Sequence, residues 1–358
     1  MGSHGIEYST PEQQIKKLKI QGLIISNETD ATDNLKCYGY SNLIKSYREP
    51  YIFYEDGKVR YRSGVTFEQI ASIYELDKNI RNSVMAAMQD LEEHFKELAA
   101  EVIAHSFGTN QNEYLKYRNY QNKRKSVEKF RLGSILDTLK EQLKTPKDPI
   151  HYYYSTYGVV PPWILFKSVY FSTMVNLIDQ FKTSEQTELM HLLLDFESLD
   201  ISENNARMLM MDILFVCMQF RNNAAHGGRM YNFIPSNEIR SSKIYNSDYS
   251  DFKPRYTELI LLLKLFRYQA PYNQLDSTLT KEINRHCKRF PQDVTYLGKL
   301  LGIDIEFHNI VYLSQATNIF HANPNCSGLM NARAVDTDFA VENGYKPCKK
   351  CCKNKYLL

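Results

Sequence analysis

Tryptophan is almost absent from this 358-residue chain, one against 26 tyrosines, and so is any excess of charge. Forty-four lysines and arginines against 41 acidic residues leave a formal net charge of +3. So even a balance is too small to prove a nucleic-acid partner, and any such surface must come from local clusters. Long apolar runs are missing too. The most apolar stretches, Met208–Phe220 and Leu259–Phe266, are short and interrupted by Asp212 and Lys264, so neither spans a bilayer. The chain also lacks the basic start and apolar run of a secretory signal, and Met1-Gly2-Ser3-His4-Gly5 carries no structural weight. Cysteine is sparse until the end: of seven, four fall after residue 325. An odd number crowded at one end fits a reducing cytoplasm and a metal site better than a disulfide framework.

What the chain does have is helical periodicity. Thr10 as N-cap with Pro11 behind it predicts a helix over Pro11–Gln21, stopped by Gly22. Leu23-Ile24-Ile25 then leads into a polar turn and a tyrosine-rich segment, Tyr38–Tyr54. Asp56-Gly57 between Phe53-Tyr54 and Val59-Arg60-Tyr61 predicts a small hairpin. Thr66-Phe67-Glu68-Gln69 is a capping box, and from Ile70 to Val102 apolar residues recur every three or four positions, as in one long helix or two abutting ones. Pro146–Pro162 reads as a tyrosine-bearing loop from which Trp163–Phe181 leaves as a helix. Ser202–His226, Arg255–Tyr268, Asp276–Arg289 and Val294–Leu301 complete the helical set. Beyond Gly302, Ile303–Phe307 and Val311–Leu313 look strand-like. The expectation is a mainly α protein, with a helical domain over 1–305 and a small α+β module over 306–358.

The most telling residues are Arg221-Asn222-Asn223-Ala224-Ala225-His226, closed by Gly227-Gly228. Arginine neutralises a phosphate bidentately, and histidine exchanges protons near neutral pH. Together they suit metal-free RNA cleavage. On an ideal helix Arg221 and His226 stand about 140° apart, so both reach one phosphate only if the last turn loosens or two chains combine. No other arginine has a histidine at comparable spacing, so a second histidine calls for a second subunit. Against this stands the bland alternative: a chance string whose basic ends complement the helix dipole.

Phe220–Asn232 resembles the signature of the Abi (AbiD/AbiF-like) abortive-infection proteins, in which R-N-x-x-A-H is followed by R-x-x-N. Glu12–Leu23, Tyr47–Pro50, Thr66–Asp77 with Ile80-Arg81, and Pro161-Pro162-Trp163 resemble further motifs of that family in the same order, over roughly residues 10–305. Gly227 and Gly228 stand where the family often has bulkier polar residues. The resemblance implies a HEPN-type helical bundle, a dimer that joins two motifs in one cleft, and metal-independent RNA cleavage. It implies catalytic roles for Arg221, Asn222 and His226, with Arg229 and Asn232 supporting the site. It also implies a toxin-type role in phage defence, with a small non-coding RNA as a restraining partner.

Two further clusters stand out. Lys116, Arg118, Lys123, Arg124 and Lys125, interleaved with Tyr117 and Tyr120, suit the phosphates and unstacked bases of single-stranded RNA; equally, they suit a solvated helix face with its tyrosines tucked inward. His321-x4-Cys326 with Cys348-x2-Cys351 offers one nitrogen and three sulfurs, the set for a closed, structural zinc site. Cys352 is an alternative to Cys351. This tail resembles small bacterial modules of the form Y-H-x-x-x-x-C … G-Y-x-P-C-x-x-C, presumed to bind zinc. Lys349, Lys350, Lys353 and Lys355 beside it suit phosphate. Cys37, Cys217 and Cys287 read as buried small apolar groups, and His94 as a core histidine. The expected function is a cytoplasmic, dimeric endoribonuclease needing no cofactor for catalysis and no membrane. The alternative is a non-catalytic RNA-binding or scaffold protein.

Overall fold

The computed structural model describes residues 8–245, 248–303, 305, 310–314, 317–323, 326–327, 329 and 333–352. Met1–Gly5, most of Ile303–Phe307, Lys353 and Lys355 therefore lie outside the described residues. The chain is mainly helical with a small sheet near its C-terminus. In order come α1 (Pro11–Ile20), α2 (Glu28–Tyr38), strands β1 (Ile52–Glu55) and β2 (Lys58–Tyr61), then α3 (Phe67–Phe107), α4 (Gln111–Tyr114), α5 (Leu132–Gln142) and α6 (Ile150–Tyr157). They are followed by α7 (Pro162–Leu165), α8 (Phe171–Asp179), α9 (Thr183–Leu193), α10 (Glu203–Ala225), α11 (Ser241–Ile244), α12 (Tyr256–Leu263), α13 (Ala270–Arg289) and α14 (Val294–Leu301). Strands β3 (Ile310–Leu313), β4 (Ile319–His321) and β5 (Arg333–Asp336), helix α15 (Thr337–Glu342) and β6 (Lys346–Pro347) end the chain. No helix among the described residues is long and apolar enough to cross a membrane.

Contacts divide the chain into two compact units, residues 1–280 with 300–302, and residues 281–299 with 303–358. The first is built around α3. Its 41 residues contain neither glycine nor proline, so nothing interrupts the hydrogen-bond ladder between the Thr66 cap and Gly108, where φ of 79° ends it. Ile70, Ile73, Ile80, Val84, Leu91, Phe95 and Val102 are fully buried along one stripe. Each is worth about 1.5–3 kcal/mol when removed from water. Helices α7, α9 and α10 pack on this stripe, α10 with Leu209, Ile213, Leu214, Cys217 and Phe220 inward.

The hairpin forms as expected, with Asp56 at φ 48° and Gly57 at φ 71° turning β1 into β2. Several sequence expectations need correcting. The polar turn after Ile25 is helix α2, started by the Asn27 side chain accepting from the amides of Thr29 and Asp30. The loop Pro146–Pro162 contains α6, and Trp163–Phe181 is broken into α7, a 3-10 turn over Phe166–Ser168, and α8. Cys37 is exposed on α2, whereas Cys217 and Cys287 are buried as expected.

In the second unit β3 pairs antiparallel with β4 and β5, and β6 adds parallel to β4, giving the order β5-β3-β4-β6. Among the described residues its sheet covers a small buried cluster of Val311, Leu313, Phe320, Ala340 and Cys352.

Candidate active site

Helix α10 ends where the sequence says it should. Gly227 at φ 71° donates to the carbonyl of Ala224 at 3.0 Å, and Gly228 to that of Asn223 at 2.9 Å, a Schellman closure that satisfies the last carbonyls. His226 is the C-cap, with φ −90° and ψ 11°, and its side chain is exposed. The second glycine has a separate reason. A Cβ on Gly228 would sit 2.0 Å from Oδ1 of Asn223, whose Nδ2 donates to the carbonyl of Arg229 at 2.8 Å. The pair of glycines thus folds the chain back over Asn223. Gly228→Ala is expected to break that bond and cost about 1–3 kcal/mol, as read by urea unfolding; an unchanged midpoint would contradict the closure described.

The turn leads into buried ground. Met230 and Tyr231 are 0% and 3% exposed, and their amides donate to Oδ1 of Asp77 at 2.8 and 2.7 Å. Oδ2 of Asp77 accepts from the Tyr47 hydroxyl at 2.6 Å, and Arg81 lies 4.0 Å away. Asp77 is fully buried; burial pushes its carboxyl above the usual range, and the hydroxyl and two amides pull the other way by favouring the charged form. Arg81 also reaches the carbonyl of Gly227 at 3.4 Å, and Arg229 donates to the carbonyl of Ser46 at 2.7 Å. The residues after His226 are therefore held by α3 and by the segment over Tyr47. Asn232, the other expected support, is exposed.

Arg221 faces elsewhere. It lines an open cleft of about 710 Å³ with His94, Asp90, Glu93, Glu97, Lys167 and Tyr268, and His226 lies outside that lining. Its Nε is buried with no hydrogen-bond partner among the described residues. His94 is a wall of this cleft and not a core histidine. Its ring packs 4.4 Å from that of Tyr268, whose hydroxyl is 2.9 Å from both oxygens of Asp90. Burial lowers the His94 pKa and Asp90 partly restores it. The sequence hid these partners because they lie on α3, in the 3-10 turn at Lys167 and beyond α12, far from the motif. One chain thus places Arg221 in a cleft lined also by the carboxylates of Asp90, Glu92, Glu93 and Glu97, and His226 exposed at the helix end.

The sequence profile of the family described as Abi-like protein matches residues 33–232, more than half of the chain. The chain belongs to the Abi-like family. No curated protein and no solved structure matches it. Family membership points to abortive-infection defence against phage. The matched segment includes the Arg221–His226 motif and its Asp77 anchor, and stops before the cysteine-rich unit.

In that second unit His321, Cys326, Cys348 and Cys351 come together, their ligand atoms all within 4.8 Å of one another. The Cys326 and Cys348 sulfurs are 4.0 Å apart, and Cys351 Sγ is 3.7 Å from His321 Nδ1. Strand β4 delivers His321, the turn after it Cys326, and the turn after β6 the other two. Cys348 is fixed by its amide donating to the carbonyl of Phe320 at 2.9 Å. Burial alone would raise the Cys351 thiol, but the amides of Asn323 and Ala322 and the neighbouring sulfurs bring it down to about 6. Cys352 points into the core, its sulfur 3.6 Å from the Phe320 carbonyl, so Cys351 and not Cys352 completes the set. These residues can hold a metal ion.

The basic tyrosine stretch is neither a helix nor a row of free charges. Tyr117–Asn119 is a 3-10 turn, Tyr120 is buried, and Tyr117 is exposed. Lys123 and Lys125 both pair with Asp179, and Lys116 with Glu113. Arg118 and Arg124 are exposed.

Proposed function

We propose that this Abi-like protein is a metal-independent endoribonuclease of the HEPN type, acting as a toxin in phage defence from a composite site between two copies of the chain. The observation that carries the reading is the combination, in one short motif, of an exposed His226 at the glycine stop of α10 with an Arg221, about 1.4 turns earlier, whose buried Nε has no hydrogen-bond partner among the described residues. His226 takes the proton of an RNA 2′-hydroxyl, and the freed oxygen attacks the adjacent phosphorus. Arg221 holds the charge that grows on the phosphorane oxygens, with Asn222 beside it. The twin chain's histidine protonates the departing 5′-oxygen. Acid–base help of this kind contributes about 10²–10⁴-fold, and charge stabilisation a comparable amount.

An RNA oligonucleotide carrying a single 2′-deoxy residue tests the chemistry. Cleavage is expected to stop at that linkage alone; cutting there at the normal rate would show that the 2′-oxygen is not the nucleophile. One observation favours a second reading, a non-catalytic RNA-binding protein: within a single chain Arg221 and His226 do not line the same cleft. That reading expects RNA binding without product.

The cluster of the second unit fits zinc held for structure. Tetrahedral sulfurs at about 2.3 Å from the ion stand about 3.8 Å apart, close to the separations here, and four protein ligands leave no open position. The ion would supply cross-linking of β4 to the C-terminal turn, and nothing to the cleavage chemistry.

A further inference from the structure

A second basic surface lies where no sequence motif points. Helix α1 buries Ile15 and Leu18 and so turns Lys16, Lys17 and Ile20 outward; Arg60 of β2 ties itself to the end of α1 by donating to the carbonyl of Ile20 at 2.8 Å. Between the two elements runs a groove of about 440 Å³ lined by Lys16, Lys17, Lys58 and Arg60, with no carboxylate in its lining. Lys16, Lys17 and Lys58 have no ion-pair partner among the described residues, in contrast to Lys123 and Lys125. Arg60 pairs with Glu55 at 3.1 Å, but the three lysines carry no counter-charge and repel one another, and an anionic chain laid along them removes the repulsion. On the paired strand β1, across from Arg60 and Val59 and on its two opposite faces, Phe53 and Tyr54 are 42% and 63% exposed. Cations for phosphates next to free aromatic faces for bases are the two requirements of single-stranded RNA binding.

The groove also has a direction. Lys17 and Lys45 lie over the ring of Tyr40, 6.0 and 5.9 Å from its centre, and the residue after Lys45 accepts the Arg229 hydrogen bond. A basic track therefore leads from the α1–β2 groove to the segment that follows His226.

We infer that the α1–β2 groove binds the backbone of single-stranded RNA and feeds it toward the His226 end of α10. The inference takes RNA as the ligand from the proposed function, and is tested separately from cleavage. The experiment uses the full chain with His226→Ala and a fluorescein-labelled oligouridine of about 20 nucleotides, followed by anisotropy at several salt concentrations. Adding Lys16→Gln, Lys17→Gln and Lys58→Gln is expected to weaken binding at least about tenfold and to make the salt dependence shallower by about two counterions. Phe53→Ser with Tyr54→Ser is expected to weaken it at least about fivefold. Lys123→Gln with Lys125→Gln is expected to change little. Unaltered affinity and salt slope in the groove variant, equal affinity for a duplex of the same length, or no oligouridine binding at all would each overturn the inference. Groove-dependent binding by a wild-type chain that cuts no RNA would leave it standing and remove the nuclease reading.

Discussion

Asp77→Ala is expected to lower the stability of the first unit by about 3–5 kcal/mol, the loss typical when one partner of a buried polar or ionic cluster is deleted. The alanine leaves the amides of Met230 and Tyr231 and the hydroxyl of Tyr47 buried with nothing to accept from them. Each such orphan costs about 1–3 kcal/mol. Asp77→Asn should cost distinctly less, since the amide oxygen still accepts both backbone donors and Tyr47 can accept from the new NH₂ group. Tyr47→Phe removes a single bond and should fall near 1–2 kcal/mol. The order Ala, Asn, Phe in urea midpoints is the signature; equal midpoints for Asp77→Ala and wild type would mean that this carboxylate does not hold the segment behind His226.

The second large effect is expected at the cluster of His321, Cys326, Cys348 and Cys351. The buried cluster beneath the sheet, Val311, Leu313, Phe320, Ala340 and Cys352, is small and gains little from apolar burial, whereas closing a Cys₃His set around a zinc ion would supply about 10–16 kcal/mol of apparent folding free energy. Cys348→Ser, or stripping the ion with a strong chelator, should make the segment beyond residue 303 sensitive to protease while the first unit keeps its urea transition. Cys352→Ser should retain a full equivalent of bound metal, because its sulfur packs on the Phe320 carbonyl and not on the cluster. Loss of metal in Cys352→Ser with retention in Cys351→Ser would reverse the assignment.

What the sequence made legible was local. The helical character of α3 follows from its apolar rhythm, although that rhythm fits one helix or two abutting ones alike, and the end of α10 from two adjacent glycines; His321, Cys326 and Cys348 follow from ligand spacing, with Cys351 chosen over Cys352 only by the fold. What it concealed depends on distant partners or on little burial. Helix α2 buries only Ala31 and Leu35, so its polar sequence carries almost no periodic signal. Helix α6 leaves Tyr152, Tyr154 and Tyr157 exposed, and reads as loop. Lys123 and Lys125 look free until Asp179, more than fifty residues on, takes both. The role of Asp77 emerges only when residues 47, 77 and 230 meet, and the cleft around Arg221 only when α3 is laid beside α10.

Metal-free cleavage by Arg221 and His226 is checked by incubating purified protein with an RNA oligonucleotide in excess EDTA, comparing wild type with Arg221→Ala and His226→Ala. Wild type is expected to cleave and leave 2′,3′-cyclic phosphate ends, with loss of at least about 10²-fold in each variant. Equal cutting by all three, or cutting that needs a divalent ion, would contradict that mechanism.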